Sequence, residues 1–177
     1  MSELCFFGFN VHPFCEYITG FGEDSHQFRQ DLKGCVIAGA HFPDAQKFDA
    51  DSDGDVVFHA ICQAITSVTH VPILGGIAIE LCKKEGITDS EVFLKEAVKT
   101  LKEIKIVHCV VSLTALKPRL QPHEKTMRQN IAKILDLPLE KVGMVFTTGN
   151  YMSFPAEGKG VTCRAVVSFE RPKLVNV

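Results

Sequence analysis

The chain has no excess of positive charge, no long apolar run and no basic amphipathic segment, and each absence argues against a class of partner. Its formal net charge is -2, so it lacks the basic surface that binding to nucleic acid requires. No segment reaches the roughly 20 consecutive apolar residues of a membrane-spanning helix. No basic helix points to a membrane surface either. We therefore expect neither nucleic acid nor a membrane as a partner.

A disulfide framework is also missing. The chain contains 7 cysteines, none of which forms a CxxC pair. Several lie inside apolar runs, where a free thiol behaves as a small hydrophobic side chain. This usage is typical of a reducing compartment and speaks against a zinc ribbon. The N-terminus has no basic segment before a long apolar core, as a signal peptide would. We expect a protein of the cytoplasm.

What is present is the composition of a globular protein, with 46% hydrophobic and 23% charged residues among 177. We expect an N-terminal extension over residues 1–16, which Pro13 interrupts, and one domain over residues 17–177. Strands and helices alternate along that domain, as in α+β or α/β folds. The predicted strands are 17–22, 35–39 (with a possible partner around 41–42), 106–113, 143–148 and 161–169. The predicted helices are 55–68, 77–84, 90–104 and 122–135.

Three local signals refine this prediction. The Gly20-x-Gly22 pair predicts a turn at the end of the first strand, and Pro43 predicts a loop. The near-continuous apolar run from Ile106 to Leu113 predicts a strand that is buried on both faces.

An acidic turn precedes the helix predicted at 55–68. The run from Asp49 to Asp55 places carboxylates where a calcium loop needs its first, third and fifth ligands, but Ala60 stands at the twelfth position, where a glutamate is required. The acids could instead cap the helix, with Asp53 or Ser52 as N-cap. We expect Asp53 and Asp55 to shape and cap the turn. One acid is enough for a cap, and four in seven residues repel one another unless a cation or hydrogen-bond donors lie among them.

A second candidate site is the Asp24-x-His26 pair at the end of the first strand. Side chains two apart on a strand point the same way, so both can reach one ion, although such a pair also occurs as plain surface residues. With His59, the pair becomes an Asp/His/His set with one open position, the arrangement of catalytic zinc. His12 competes for this role, because the residues from Gly8 to His12 repeat the same pattern with a neutral asparagine.

Two polar loops complete the candidate sites. The segment Thr147-Thr148-Gly149-Asn150 ends a predicted strand and could donate hydrogen bonds to phosphate oxygens, or could be an ordinary turn. The segment Lys117-Pro118-Arg119 could be a solvated loop or a nucleotide contact.

Four segments taken together resemble one family: GFGEDSHQF (20–28), ADSDGDVVFHAICQAI (50–65), KPRLQPHEKTMR (117–128) and TTGNYMSFPAEGKGVTC (147–163). They are similar, in order and spacing, to the 2-C-methyl-D-erythritol 2,4-cyclodiphosphate synthases of the non-mevalonate isoprenoid pathway. The similarity covers about residues 17–170. G-x-G-x-D-x-H followed by S-D-G-D-x-x-x-H is specific to that family. The spacing also favours His26 over His12.

The resemblance implies a single α+β domain with a four-stranded mixed sheet, helices packed on one face, and a homotrimer formed through the sheets with active sites between subunits. It implies a phosphorus-oxygen lyase that closes a ring on a cytidine-diphosphate substrate, 4-diphosphocytidyl-2-C-methyl-D-erythritol 2-phosphate, and releases CMP. Zn²⁺, or another divalent transition metal, is expected on Asp24, His26 and His59. Mg²⁺ or Mn²⁺ is expected with the substrate diphosphate.

The resemblance also assigns residues by position. It places Thr148 and Asp51 as catalytic residues and the segment from Ala115 to Gln121 in a cytosine pocket. The full set expected to bind substrate is Asp24, Ser25, His26, Asp51, Ser52, Ile77, Ala78, Ala115, Leu116, Lys117, Pro118, Arg119, Leu120, Gln121, Thr147, Thr148, Gly149, Asn150 and Phe154.

Several positions depart from the family pattern. Asp51 stands where many members have a histidine, Asn150 where they have a glutamate that binds magnesium, and Gly76 where they have an aspartate. Glu157 and Lys159 invert a charged pair expected near the trimer axis. The alternative function is therefore a trimeric metal- and nucleotide-binding protein of the same fold with weakened catalysis.

Overall fold

The structure is a computed structural model that describes residues 5–6, 9–10 and 15–173. Its strands are β1 (Cys5–Phe6), β2 (Phe9–Asn10), β3 (Cys15–Ile37), β4 (Ala40–Phe48), β5 (Lys105–Thr114), β6 (Val142–Thr147) and β7 (Gly160–Pro172). Its α-helices are α1 (Val56–Thr69), α2 (Ala78–Glu80), α3 (Ser90–Lys99) and α4 (Glu124–Leu135). Two π-helical turns, Ile73–Ile77 and Leu81–Glu85, flank α2, and 3₁₀ turns lie at Gln121–His123, Leu139–Lys141, Gly149–Tyr151 and Pro155–Glu157.

The main sheet is mixed and has five strands in the order β4-β3-β7-β5-β6. Only β5 and β6 are parallel; the other neighbours are antiparallel. The four-stranded sheet that the resemblance implies is therefore one strand too small. Residues 17–22 and 35–39, predicted as two strands, both lie in β3. The partner expected around residues 41–42 is confirmed as β4, which pairs with the second half of β3 through Cys35–Phe42 and Ile37–Ala40. The loop expected at Pro43 is wrong as well, since Pro43 lies within β4, an edge strand where a missing N–H donor is tolerated.

The turn expected at Gly20-x-Gly22 is not formed, because β3 runs straight through both glycines. Their function is close packing: a Cβ on Gly20 would lie 2.2 Å from the Ala64 carbonyl oxygen, and one on Gly22 would lie 2.1 Å from the Ala60 carbonyl oxygen. The two glycines let α1 lie directly on β3, which carries two of the candidate metal ligands.

The helices α1 and α3 and the main core lie on one face of the sheet. Along β7 the side chains of Val161, Cys163, Ala165, Val167 and Phe169 are buried, whereas those between them are exposed or half-buried. The strand β5 alternates in the same way, so in a single chain it is not buried on both faces as its composition predicts. One face of the sheet is left open to solvent.

Most other predicted elements are confirmed with shifted ends. Asp89 is the N-cap of α3, as expected, but α3 ends at Lys99 rather than near residue 104. The helical segment Ile73–Glu85 begins earlier than predicted and replaces part of the expected loop. The extension expected at 1–16 falls mainly on residues outside those described, and its boundary stays a prediction.

Within the described residues, no single helix is long and apolar enough to cross a membrane. The pair formed by α1 and Ile73–Glu85 has the length and apolar composition of a membrane span, but the two helices meet at an angle of 111°.

Candidate active site

Three side chains from two elements converge beside the acidic turn. Asp24 and His26 are two apart on β3, so both point toward α1. His59 lies in the first turn of α1 and is 7% exposed. The His26 ring also lies against Phe48 of β4, with 5.9 Å between ring centroids. Strand alternation and glycine packing thus bring together residues that are more than thirty positions apart in the chain.

Three ligand atoms of this group form a nearly regular triangle. Asp24 Oδ2 lies 3.2 Å from His26 Nε2 and 3.2 Å from His59 Nδ1, and the two nitrogens are 3.3 Å apart. Ligand atoms at about 2.0–2.2 Å from a tetrahedral ion are separated by about 3.3–3.6 Å. The residues therefore fit a divalent metal ion with one position left open for another ligand. Among the described residues, this is the group that could hold a metal ion.

Asp24 is charged in this arrangement. Burial opposes ionisation of its carboxyl group, but hydrogen bonds from His26 and His59 and the charges of the two rings lower its pKa to about 2. An ionised carboxylate is the form that binds metal, so the ligand needs no deprotonation near neutral pH.

The acidic turn is organised by Asp55. Its side chain is fully buried and accepts hydrogen bonds from four backbone N–H groups, two at Ala38 and Gly39 and two at Val57 and Phe58. Asp55 is therefore the N-cap of α1, which confirms the expected capping role of Asp55, whereas an N-cap at Asp53 or Ser52 is wrong. Asp53, the fifth-position ligand of a calcium loop, accepts hydrogen bonds from the Asp55 and Ser90 N–H groups, and the strand β4 rather than a helix leads into the turn. Both observations argue against the calcium-loop interpretation.

The triad lies in a cleft of about 910 Å³. Five other residues from the predicted site or its acidic turn line it: Asp49, Ala50, Asp51, Ser52 and Ala78. Sequence reasoning missed Arg29, Gln63, Lys83 and Phe93, which also line it. Arg29 forms an ion pair with Asp31 at 3.1 Å. Lys83, in the π-helical turn Leu81–Glu85, is a second cation that lines the cleft. Neither cation has a motif around it, and only the fold places them here.

A second group of predicted residues lies at the ends of β5 and β6. The Ala115 N–H donates to the Thr147 carbonyl at 3.0 Å, and the Leu116 N–H donates to the Pro155 carbonyl at 3.1 Å. These bonds hold the predicted cytosine loop against the predicted phosphate loop. Gly149 has a φ of 73° and its N–H bonds the Thr147 hydroxyl, so a tight turn is formed there.

The two groups do not share a cleft within one chain. Lys117 and Pro118 line a separate pocket of about 330 Å³ with Phe28 and residues 44–46. The described residues that line the two clefts do not overlap. Ser25 lies on the open face of the sheet, where its hydroxyl is 2.8 Å from that of Thr162, so in one chain it faces away from Asp24 and His26.

The remaining predicted substrate residues are spread around these groups. Most of them lie at the surface or are half-buried: Ile77, Arg119, Gln121, Thr148, Asn150 and Phe154; Leu120 is buried in the core. Phe154 is 72% exposed and carries the Lys159 ammonium 4.9 Å from its ring centroid.

The chain matches the model of the YgbB family over residues 17–170. The chain belongs to the YgbB family. A relative from Chlamydia trachomatis serovar L2, named 2-C-methyl-D-erythritol 2,4-cyclodiphosphate synthase, is 44% identical over 155 residues, which are 86% of this chain and 87% of the relative. The synthase of the same name from Chlamydia muridarum is 45% identical over equal shares. The resemblance inferred from the motifs is thus confirmed.

Solved structures of YgbB-type synthases have the same fold. One 2C-methyl-D-erythritol-2,4-cyclodiphosphate synthase superposes with a TM-score of 0.76 at 28% identity, covering 86% of this chain and 99% of that one. A form of that synthase bound to CDP gives the same values.

Proposed function

We propose that this chain converts 4-diphosphocytidyl-2-C-methyl-D-erythritol 2-phosphate to the 2,4-cyclodiphosphate and CMP, as a phosphorus-oxygen lyase of isoprenoid precursor biosynthesis. The observation that carries the proposal is the Asp24/His26/His59 triangle inside a cleft of a YgbB-family fold. In the reaction, an oxygen of the 2-phosphate bonds to the β-phosphorus, and the bond from that phosphorus to the CMP oxygen breaks.

Phosphoryl transfer of this kind depends on holding anions in line and balancing their charge. A zinc ion on the triad would bind a phosphate oxygen at its open position, and Mg²⁺ or Mn²⁺ on the diphosphate would stabilise the charge that leaves with CMP. The residues of the chain supply the rest. Ser52 and the Lys83 ammonium face the same cleft as the triad and would bind phosphate oxygens.

The cytidine end of the substrate needs the second group of residues. The loop from Ala115 to Gln121 would hold the cytosine, and Thr148 would donate a hydrogen bond to the phosphates. Asn150 offers only a neutral amide to the second metal ion. Because the two groups line separate clefts in one chain, we propose that a complete site forms between two copies of it.

The open face of the sheet supports a homotrimer. Phe21, Val166 and Val110 lie side by side on that face, where Phe21 is 56% and Val166 40% exposed. Val145 on β6 is 55% exposed on the same face. Burying this apolar row against other copies would bring cleft and loop together. We also place the protein in the cytoplasm, since Cys15, Cys35, Cys62, Cys82, Cys109 and Cys163 are free thiols.

The test is turnover of the purified protein with the cytidine-diphosphate substrate, Zn²⁺ and Mg²⁺. CMP is measured by chromatography and the cyclic product by ³¹P NMR. His59→Ala should lower both the zinc content and the rate, the latter by about 100-fold or more, because a metal ion supplies several kcal/mol of charge stabilisation. His41→Ala is the matched control, since His41 is exposed on β4.

Zinc bound through His59 without any CMP release would contradict the proposed reaction. The chain would then be a metal- and nucleotide-binding protein of the same fold. Unchanged zinc content in His59→Ala would contradict the ligand set itself.

A further inference from the structure

Two side chains outside the triad continue the hydrogen bonding behind His59. Ser90, the first residue of α3, is fully buried, and its Oγ lies 2.9 Å from His59 Nε2. The same hydroxyl bonds Asp53 Oδ1. The Ser90 N–H donates to the other carboxylate oxygen, Oδ2, at 3.2 Å. A continuous chain of contacts thus runs from Asp53 through Ser90 to the far side of the imidazole.

The chemistry of the three groups sets the direction of each bond. The Nδ1 atom of His59 points into the triad and lies 3.2 Å from Asp24 Oδ2. An imidazole that binds a metal ion through Nδ1 keeps its proton on Nε2. That N–H then donates to Ser90 Oγ, and the Ser90 hydroxyl donates to Asp53, since an ionised carboxylate only accepts.

Asp53, the last group in this series of hydrogen bonds, is itself held in place by the backbone. Its Oδ1 also accepts from the Asp55 N–H at 3.1 Å, and its own N–H donates to the Thr88 carbonyl at 2.8 Å. The acidic turn before α1 and the start of α3 are therefore tied together at the point that His59 touches.

We propose that Ser90 and Asp53 are positioning residues that fix the tautomer and orientation of His59 for metal binding. This hydrogen-bonded path from Asp53 through Ser90 to His59, called the relay below, acts through His59 and contacts neither the substrate nor the reacting atoms. It deepens the proposed function, because it rests on metal binding by the triad. Groups that orient a metal-binding histidine in this way are typically worth about 10–100-fold in metal affinity.

The test measures metal affinity separately from turnover. Zinc dissociation constants are obtained by chelator competition for the whole protein and for Ser90→Ala, Asp53→Asn and the double variant. We expect Ser90→Ala to weaken zinc binding about 10–100-fold. The double variant should be no weaker than Ser90→Ala, since both changes break one chain of bonds. The visible spectrum of the Co²⁺-loaded protein should change in Ser90→Ala, because its absorption reports ligand geometry.

The control is Asp89→Ala, which removes the N-cap bond from Asp89 to the Glu91 N–H at the same end of α3 without touching His59. It should destabilise α3 yet leave zinc affinity and the Co²⁺ spectrum unchanged. If Ser90→Ala and Asp89→Ala weaken zinc binding equally, or if Ser90→Ala binds zinc like the unchanged protein, the relay is wrong.

The outcomes separate the two proposals. A protein that binds zinc through this relay but releases no CMP contradicts the proposed reaction and retains the relay. A protein that releases CMP while Ser90→Ala keeps full zinc affinity contradicts the relay alone. If the unchanged protein does not bind zinc, both the proposed ligand set and the relay are wrong.

Discussion

Asp55 illustrates how much of this fold depends on a single carboxylate. It is buried without a cationic partner and is satisfied entirely by four backbone N–H groups from two segments. These bonds join the β3–β4 turn to the start of α1, so the position of His59 depends on them.

Replacing Asp55 should therefore cost more than replacing an ordinary helix cap. In Asp55→Ala, four buried N–H groups lose their acceptor, and we expect the free energy of unfolding to fall by about 3 kcal/mol or more. Asp89→Ala, which removes one exposed cap bond, should cost about 0.5–2 kcal/mol. Urea unfolding measures both. Equal losses would contradict the role given to Asp55.

Cys82 lines the cleft, so the reactivity of its thiol can be used to probe the cleft. It is partly exposed beside the triad, whereas Cys35 and Cys109 are buried and burial raises their pKa to about 12. Burial, followed by the negative charges of Asp51 and Asp53, raises the pKa of the Cys82 thiol. Since the thiolate is the reacting form, alkylation of Cys82 should need a higher pH than a free cysteine does.

Removing the negative charge of Asp51 should shift the pH dependence of Cys82 alkylation to lower pH. Asp51→Asn lowers the pKa of Cys82, so its alkylation by iodoacetamide at pH 8 should become a few times faster. CDP with Zn²⁺ should slow it, while Cys35 stays unreactive in the folded protein. Peptide mass mapping follows each thiol. If neither Asp51→Asn nor CDP with Zn²⁺ alters the rate of Cys82 alkylation, the placement of Cys82 in the cleft is contradicted.

The contact between β3 and α1 brings together the Asp24/His26/His59 triad, the candidate metal site. Gly20 and Gly22 have no room for a side chain, because the α1 backbone lies against them. The same strand then carries Asp24 and His26 toward His59. Stability and the proposed metal binding should therefore be coupled through one helix–strand contact.

Gly22→Ala tests this coupling. Its Cβ would lie 2.1 Å from the Ala60 carbonyl oxygen and 2.5 Å from the Ala64 N, so α1 must move. We expect a loss of about 2–4 kcal/mol in stability and weaker zinc binding, since the triangle opens. Gly75→Ala is the matched control, because nothing lies within 4 Å of its Cβ. Thermal unfolding with and without Zn²⁺ measures both effects, and zinc binding that survives in Gly22→Ala would separate packing from ligation.

For the whole molecule, the open face of the sheet is the feature that most needs a partner. Its apolar row includes Phe21, Val166 and Val145, and the Glu23–Arg164 ion pair of 2.5 Å lies beside it. The strand β5, whose sequence predicts burial on both faces, is half-buried there. Association through this face would reconcile its composition with its exposure.

Val166→Lys should prevent that association. A charge at the centre of the buried row would have to be desolvated, so light scattering after gel filtration should show a mass near one chain of 19.5 kDa instead of three. CMP release should fall with it, since cleft and loop would no longer meet. Val71→Lys is the control, since Val71 is exposed in the segment that follows α1. A trimer with unchanged turnover in Val166→Lys would contradict the proposed interface.

Local sequence was enough to predict the candidate metal ligands and the type of most helices and strands. Strand alternation predicted that Asp24 and His26 point the same way, since it acts over a few residues. The α1 helix and the N-cap at Asp89 were predicted for the same reason. The family resemblance, and not local periodicity, joined Asp24 and His26 to His59. Motifs of this range also sufficed to recognise the family.

Long-range packing settled the rest. The Gly20-x-Gly22 pair indicates a turn locally, but whether a glycine bends a chain or admits a helix depends on what packs against it. Asp53 and Asp55 look alike in the sequence, and only the position of the β3–β4 turn makes Asp55 the cap. Ser90 is 31 residues from His59, so no local pattern could place its hydroxyl on that ring. Such contacts exist only once the sheet and helices enclose a common core.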